Sequence, residues 1–94
     1  MPPKKFFHHL REVTVEAIQL TPETVHEAAK WTGGVEAVTF DPFDASKKFV
    51  ALNIPTRDEV TRASQDDYII RDADGYFSVK GRRAFEIEHD ELED

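Results

Sequence analysis

The sequence predicts a single small α+β domain in which one helix packs on a curved, mainly antiparallel sheet of about five to six strands. Its 94 residues suffice for one domain with one modest core. Short runs of β-branched and aromatic residues, separated by Gly, Pro and Asp, are typical of strands joined by turns. One segment, residues 21–34, combines helical spacing of apolar residues with a start and a stop signal.

Residues 12–89 are expected to form this domain, flanked by an N-terminal arm and an acidic C-terminal tail. The arm covers residues 1–11, which are basic and begin with Pro2-Pro3, a pair that opposes regular structure. The tail covers residues 90–94 and is rich in carboxylates. We expect the tail to be frayed.

The first predicted strand follows the arm. Val13, Val15 and Ala17 alternate with polar residues, and a period of two is typical of a strand. Ile18 and Leu20 fall on the opposite face. Either a bulge or a strand that is buried on both faces at its end would explain this shift.

The predicted helix begins at Thr21 as a capping residue, with Pro22 at the first helical position. Gly33-Gly34 supplies the stop. The apolar stripe of this helix is narrow, so the helix must lie on a sheet to be stable. The stripe consists of Val25, Ala28, Ala29 and Thr32.

Three strands are predicted between the helix and residue 66. Residues 35–40 form the first, and residues 41–46 form a loop in which Pro ends the pairing. Residues 49–54 are almost continuously apolar, which is typical of a central strand covered on both faces. Residues 60–63 form a short third strand.

Residues 66–79 predict a hairpin. Two β-prone runs flank the turn residues Asp72, Asp74 and Gly75, and Gly75 can take the positive φ that closes a short loop. Residues 85–88 alternate apolar and acidic side chains and predict a last strand. The aromatic residues interpreted as core are Trp31, Phe49, Phe77 and Phe85.

The sequence predicts no catalytic, cofactor or metal site. There is no cysteine, which excludes thiolate zinc sites and cysteine nucleophiles. His8 and His9 are adjacent, and side chains of adjacent residues in an extended chain point to opposite faces, which suits chelation poorly. Asp72 and Asp74 are interpreted as turn residues, because the other ligands of a calcium loop are missing. Neither a Gly-x-Ser-x-Gly motif nor a phosphate-binding glycine loop occurs.

The formal net charge of −7 argues against nucleic-acid binding, because an acidic surface repels phosphate backbones. It favours either a basic protein partner or simple solubility. Apolar side chains in the arm and in the loop after the second strand are the candidate anchors for a protein partner. These are Phe6, Phe7, Leu10 and Phe43. For the three phenylalanines, core packing is an equally good interpretation.

No apolar run approaches the roughly 18 residues that span a bilayer. The basic start also lacks the apolar stretch of a signal peptide. We therefore expect a soluble protein that stays inside the cell that makes it and does not bind membranes.

Several short motifs, taken in order, resemble a family of small, mostly uncharacterised bacteriophage proteins. They are residues 15–20 (Val-Glu-Ala-Ile-Gln-Leu), 31–34 (Trp-Thr-Gly-Gly), 67–71 (Asp-Tyr-Ile-Ile-Arg) and 85–87 (Phe-Glu-Ile). The family pattern has a Val-Glu-Ala-Ile-Gln strand, a late Gly-Asp-Tyr-Ile-Ile hairpin and a closing strand with Phe. This chain has Asp66 where the family usually has Gly. The resemblance implies a phage origin and a fold, but it transfers no catalytic residues.

These observations predict a non-catalytic phage accessory protein that acts by binding a host or phage protein in the host cytoplasm. One alternative is a structural or decoration protein of the virion, and a weaker one is an acidic mimic of nucleic acid. A homo-oligomer through the N-terminal arm is also allowed, since the basic arm of one chain complements the acidic tail of another.

Overall fold

The computed structural model describes residues 3–92 and shows in them a small domain of two helices and eight strands. The strands form two antiparallel sheets, one of five strands and one of three. The predicted α+β domain with antiparallel pairing is confirmed, whereas the single helix and single sheet are wrong. The elements are β1 (Lys4–His8), β2 (Val13–Gln19), α1 (Val25–Thr32), β3 (Val35–Asp41), β4 (Asp44–Pro55), β5 (Val60–Ser64), β6 (Tyr68–Arg71), β7 (Phe77–Lys80), α2 (Arg82–Glu88) and β8 (His89–Glu91).

The five-stranded sheet has the order β7-β6-β2-β1-β8. Phe6 of β1 lies opposite Val15 of β2 on one side and opposite Glu91 of β8 on the other. Residues 4–8 therefore lie inside the sheet instead of forming most of the arm predicted for residues 1–11. Local sequence did not show this, because the partners that bury Phe6 lie far along the chain.

The start of the predicted acidic tail, residues 90–94, also belongs to this sheet. Asp90 and Glu91 are part of β8, and the N–H of Leu92 donates to the carbonyl of Lys5 at 2.9 Å. Backbone pairing with β1 thus holds a segment that composition alone suggested was frayed. Pro2 and residues 93–94 lie outside the described residues.

Strand β2 contributes to two cores, because successive side chains of a strand point to opposite faces. Ile18 and Leu20 face one core, and Val15 and Ala17 face the other. Its pairing with β6 is continuous, so burial on both faces, and not a bulge, explains the shifted pattern. The first core consists of Ile18, Leu20, Val25, Ala28, Leu52, Ile54, Ala63 and Ile69. The second consists of Phe6, Val15, Ala17, Tyr68, Ile70 and Phe85.

Helix α1 begins about one turn later than predicted. The hydroxyl of Thr24 donates to the carbonyl of Gln19 at 2.6 Å and ties the preceding turn to the end of β2. The helix therefore starts at Val25 and not at Pro22. Its end is as predicted, since Gly33 adopts the left-handed conformation (φ = +73°) and its N–H bonds back to the last turn.

The segment predicted as a last strand, residues 85–88, is instead part of helix α2. The alternation of Phe85 and Ile87 suggested a period of two, but the helix buries Phe85 (1% exposed) and leaves Ile87 in water (76% exposed). The ring of Phe85 stacks on Tyr68 with centroids 4.0 Å apart, and Phe6 meets it edge-on at 4.9 Å. This aromatic cluster fixes α2 against the five-stranded sheet. Within residues 3–92, neither helix has the length and apolarity to cross a membrane.

The predicted hairpin of residues 66–79 is confirmed as β6 and β7. A carboxylate oxygen of Asp72 accepts the N–H groups of Asp74 (3.0 Å) and Tyr76 (3.2 Å), and Gly75 has φ = +86°. The turn residues therefore act as the sequence indicated.

The second sheet has the order β3-β4-β5, with β4 central as predicted. The loop predicted for residues 41–46 is much shorter, because β4 already begins at Asp44 and only Pro42 and Phe43 lie between the strands. Phe49 was predicted to be core, but its side chain is exposed. Trp31 and Phe77 were also predicted to be core. Both pack at the margin of the first core, and their ring centroids are 5.0 Å apart.

Truncating two side chains of α2 in turn distinguishes the helix from the strand that the sequence predicts for residues 85–88. Phe85→Ala should lower the free energy of unfolding by about 3–5 kcal/mol, because it empties the aromatic core. Ile87→Ala should change it by less than about 0.5 kcal/mol, because that side chain is in water. Urea unfolding measures both. Equal, large losses would indicate that both side chains are buried, as they would be on one face of a strand.

Candidate functional site

The most prominent surface feature is the β3–β4 hairpin. The 12 residues of β4 extend over about 40 Å at the usual rise per residue, close to the 42 Å long axis of the molecule. The end of β4 nearest Pro55 is buried, whereas residues 44–49 are exposed along their whole length. The part of the hairpin from residue 38 to residue 49, termed the distal hairpin below, therefore projects beyond the two cores.

The root of the hairpin is held rigidly. Leu52 and Ile54 of β4 are fully buried in the first core. At the start of β3, Gly34 lies so close to the opposite strand that a Cβ there would be 2.7 Å from the carbonyl oxygen of Asn53. Its N–H donates to the hydroxyl of Thr32 at 3.0 Å. The direction of the distal hairpin is thus fixed by packing and hydrogen bonds at its base.

One face of the distal hairpin continues the apolar face of the core into solvent. Val38 lies opposite Val50, and Phe40 lies opposite Lys48, on the face that carries Leu52. Val38 is 52% exposed and Phe40 is 55% exposed. The ammonium of Lys48 lies 5.7 Å from the centre of the Phe40 ring, a cation–π arrangement.

The tip is a tight turn with a fully exposed aromatic side chain. Phe43 is 97% exposed. Its N–H donates to a carboxylate oxygen of Asp41 at 2.8 Å. Asp44 accepts the N–H (3.0 Å) and the hydroxyl (2.6 Å) of Ser46, and these bonds lower the pKa of Asp44. Hydrogen bonds on both sides therefore hold the Phe43 backbone in one conformation.

The outer edge of β3 is unprotected. Among residues 3–92, β3 pairs only with β4, so one row of its backbone N–H and C=O groups faces outward. Natural edge strands commonly carry Lys, Pro or a bulge that prevents pairing with another chain. Residues 35–40 contain neither Lys nor Pro, their single charged residue, Glu36, contacts His26 of α1 at 3.1 Å, and the register shift comes only after Phe40. This edge is therefore open to pairing with a further strand.

The structure separates the four predicted partner-binding residues. Phe6 is buried in the second core, and Phe7 is half-buried on β1. Leu10 is exposed in the turn after β1, and Phe43 is exposed at the tip of the other sheet. Only the last two present a free apolar side chain, and they lie on different sheets.

Sequence reasoning missed Val38 and Phe40 as surface residues, because an alternating apolar strand normally covers a core. One signal was present. Phe40 lies opposite Lys48, and a strand residue whose cross-strand partner is charged is poorly placed inside a core.

A cavity of about 390 Å³ lies on the other sheet, between β1, β2 and the turn that precedes α1. Its floor includes Phe6, Ala17 and Tyr68, and the ion pair of Lys4 and Glu91 (3.5 Å) lies at its margin. The hydroxyl of Tyr68 donates to Glu86 at 3.0 Å. Burial and this carboxylate raise the pKa of Tyr68 to about 12, so the phenol keeps its proton at neutral pH.

Two buried histidines join β8 to β1. The rings of His8 and His89 meet edge-on at 4.5 Å, and His8 contacts Glu88 at 3.1 Å. Nδ1 of His89 lies 3.0 Å from the carbonyl of Phe85, so it carries the proton and donates it. Burial is the main cause that lowers the pKa of His89, and the charges of His8 and Lys80 act in the same direction. These contacts explain the two imidazoles as structural groups.

No three His, Asp or Glu side chains converge within residues 3–92 in a way that would hold a metal ion. Comparison with protein-family models, with curated proteins and with solved structures finds no match to this chain. The site therefore has to be interpreted from its own geometry. Fold and surface together define a small two-sheet α+β domain with a projecting, aromatic-tipped hairpin.

Acidification should destabilise the fold through His89. Its pKa in the folded protein lies below the ordinary value of 6.5, so unfolding takes up a proton as the pH falls through that value. This contribution to stability is complete above about pH 7.5 and is lost at lower pH, with a slope of at most about 1.4 kcal/mol per pH unit for one group. Urea unfolding at several pH values between 7.5 and 5.5 measures the slope.

Two variants test whether His89 causes the pH dependence of stability. His89→Phe keeps an aromatic ring against Phe85 and should reduce the slope. Ile70→Val removes one methylene group from the second core without changing a titrating group, so it should lower the free energy of unfolding and leave the slope unchanged. An unaltered slope in His89→Phe would mean that other groups cause the pH dependence.

Proposed function

We propose that the protein is a non-catalytic accessory protein that binds another protein through the tip of the β3–β4 hairpin, with Phe43 as the anchor. The observation that carries the proposal is a phenylalanine side chain that lies almost wholly in water on a turn fixed by Asp41 and Asp44. Interfaces depend on a few such anchors that fill a pocket on the partner. Because the turn is already ordered, little conformational entropy is lost when the partner binds.

The chemistry of the tip favours an apolar pocket on the partner. Asp41 and Asp44 offset the charges of Lys47 and Lys48, so the tip has no net charge with which to attract an oppositely charged surface. Burying one phenylalanine side chain contributes about 1.5–3 kcal/mol. That corresponds to roughly a ten- to hundredfold gain in affinity.

The resemblance to small bacteriophage proteins supports a host or phage protein as the partner and the host cytoplasm as the location. A net charge of −7 opposes binding to nucleic acid. Mimicry of nucleic acid by the acidic end of the chain is a weaker proposal, because Asp90 lies 2.6 Å from His9 and Glu91 lies 3.5 Å from Lys4. These contacts leave fewer free carboxylates in an ordered row.

A structural role in the virion is the second candidate, and the projecting hairpin is the observation that favours it. A fixed arm with an apolar tip can insert into a neighbouring subunit of a particle. Fractionation of infected cells distinguishes the two roles. Stoichiometric recovery in purified particles supports the virion role, and recovery only in the soluble fraction supports the accessory role.

Removal of the anchor should abolish capture of the partner. The protein and its Phe43→Ala variant are used as baits in lysate of the host, and any protein retained by the unaltered bait is quantified by mass spectrometry. We expect Phe43→Ala to reduce its recovery at least about tenfold, because the truncation removes the buried ring.

Leu10→Ala is the matched control, since it truncates an equally free apolar side chain on the other sheet. Recovery should be unchanged in this variant. Full retention by Phe43→Ala, or loss only with Leu10→Ala, would contradict the assignment of the tip.

A further inference from the structure

We propose that strand β3 pairs with the β3 strand of a second copy of this chain, antiparallel and about a two-fold axis at Val38, so that the two three-stranded sheets form one continuous six-stranded sheet. This inference concerns the open edge of β3 and not the tip. It therefore does not depend on the partner proposed for Phe43.

The length and position of β3 suit this pairing. It is seven residues long and lies at the edge of its sheet, and its outer row of backbone groups has no strand partner in the described part of the chain. A two-fold axis requires that the strand pair with itself, residue by residue, about its midpoint. The midpoint of Val35–Asp41 is Val38, and an axis there pairs all seven residues. Any other symmetric register leaves part of the strand unpaired.

The side chains that this register brings together are compatible. Val38 lies opposite Val38 of the second copy, Ala37 lies opposite Thr39, and Glu36 lies opposite Phe40. No two like charges face each other across the axis. Cross-strand pairs of β-branched residues are favourable, whereas opposed like charges are not.

Charge complementarity supports a second copy as the occupant of this edge. Phe40 lies between Lys48, its partner on β4, and the second copy's Glu36, all on one face of the sheet. Lys48 and the second copy's Glu36 are then two strand spacings apart, or about 10 Å between backbones. The Lys48 side chain already extends over the Phe40 ring, toward that carboxylate. By symmetry the same pair forms twice.

The pairing also explains why Val38 and Phe40 are exposed in a single chain. Helix α1 packs on the same face of the sheet, and Nδ1 of its His26 lies 3.1 Å from Glu36. Since Phe40 lies opposite the second copy's Glu36, its ring is placed beside the second copy's α1. The apolar face that the distal hairpin leaves in water is thereby covered.

The interface differs from the homo-oligomer expected through residues 1–11. In the structure the paired part of that segment, β1, already has a neighbour on each side. Its backbone groups are therefore not available to another chain, whereas those on the outer edge of β3 are.

Sedimentation over a range of protein concentrations tests the proposal. We expect a mass of twice 10.8 kDa at high concentration. Val38→Lys places two ammonium groups opposite each other at the axis and should weaken the dimer at least about tenfold. Val60→Lys, the same change at an exposed site on the other edge strand of this sheet, should leave the dimer intact.

A charge exchange tests the register and keeps the proposal testable if Val38→Lys fails to fold. Lys48→Glu alone and Glu36→Lys alone each create two like-charge pairs across the interface, and each should weaken the dimer several-fold. The double variant Glu36→Lys/Lys48→Glu should restore it. Within one chain, Glu36 and Lys48 are separated by four residues along the paired strands and do not lie opposite each other. Restoration of the dimer in the double variant can therefore arise only from contacts between the two copies.

A strictly monomeric protein at all concentrations would overturn the proposal, as would a dimer that Val60→Lys disrupts and Val38→Lys does not. A dimer that resists all charge variants would exclude this register. Phe43→Ala should remain dimeric, so failure of partner capture and failure of dimer formation are separate results.

Discussion

Burial of β2 on both of its faces is the constraint on which the rest of the structure depends. Val15 and Ala17 pack against the aromatic cluster of α2, while Ile18, one residue later, packs against α1 and the root of β4. Because side chains alternate along a strand, a slip of one residue would exchange the two faces and place the wrong side chains in both cores. The register of β2 therefore fixes how the two sheets meet and, through Leu52, where the hairpin begins.

The hairpin combines a rigid base with an exposed end, and this division follows from the sequence of β4. Its second half is apolar and enters the first core, and its first half is polar and remains in water. The opposite strand does not follow the same division, since Val38 and Phe40 stay apolar where the core has ended. Phe40 in particular lies opposite the charged Lys48, and this exposed apolar face is not explained by the stability of the single chain.

Local patterns identified most of the elements whose partners are near in sequence. The hairpin of residues 66–79, the end of α1 at Gly33 and the central position of β4 all depend on nearby turn and apolar residues. Pairing of β1 with β8 was not predictable, because it joins opposite ends of the described chain. The helix at Phe85 was missed because its apolar side chains are two residues apart, which is equally typical of a strand. For the site, the loop position of Phe43 made it a candidate anchor but left core packing equally open, and the exposure of Val38 and Phe40 required the pairing with β4.

The placement of β1 between β2 and β8 has a consequence for synthesis. Strand β2 follows β1 immediately in the sequence, but β8, which includes Glu91, is synthesised much later. At about 5–20 residues per second, the nascent chain carries an incomplete sheet for several seconds, with the Phe6 ring uncovered until Phe85 arrives. Throughout that interval this segment is an apolar strand without its native cover, and burial of the ring waits for the residues of α2.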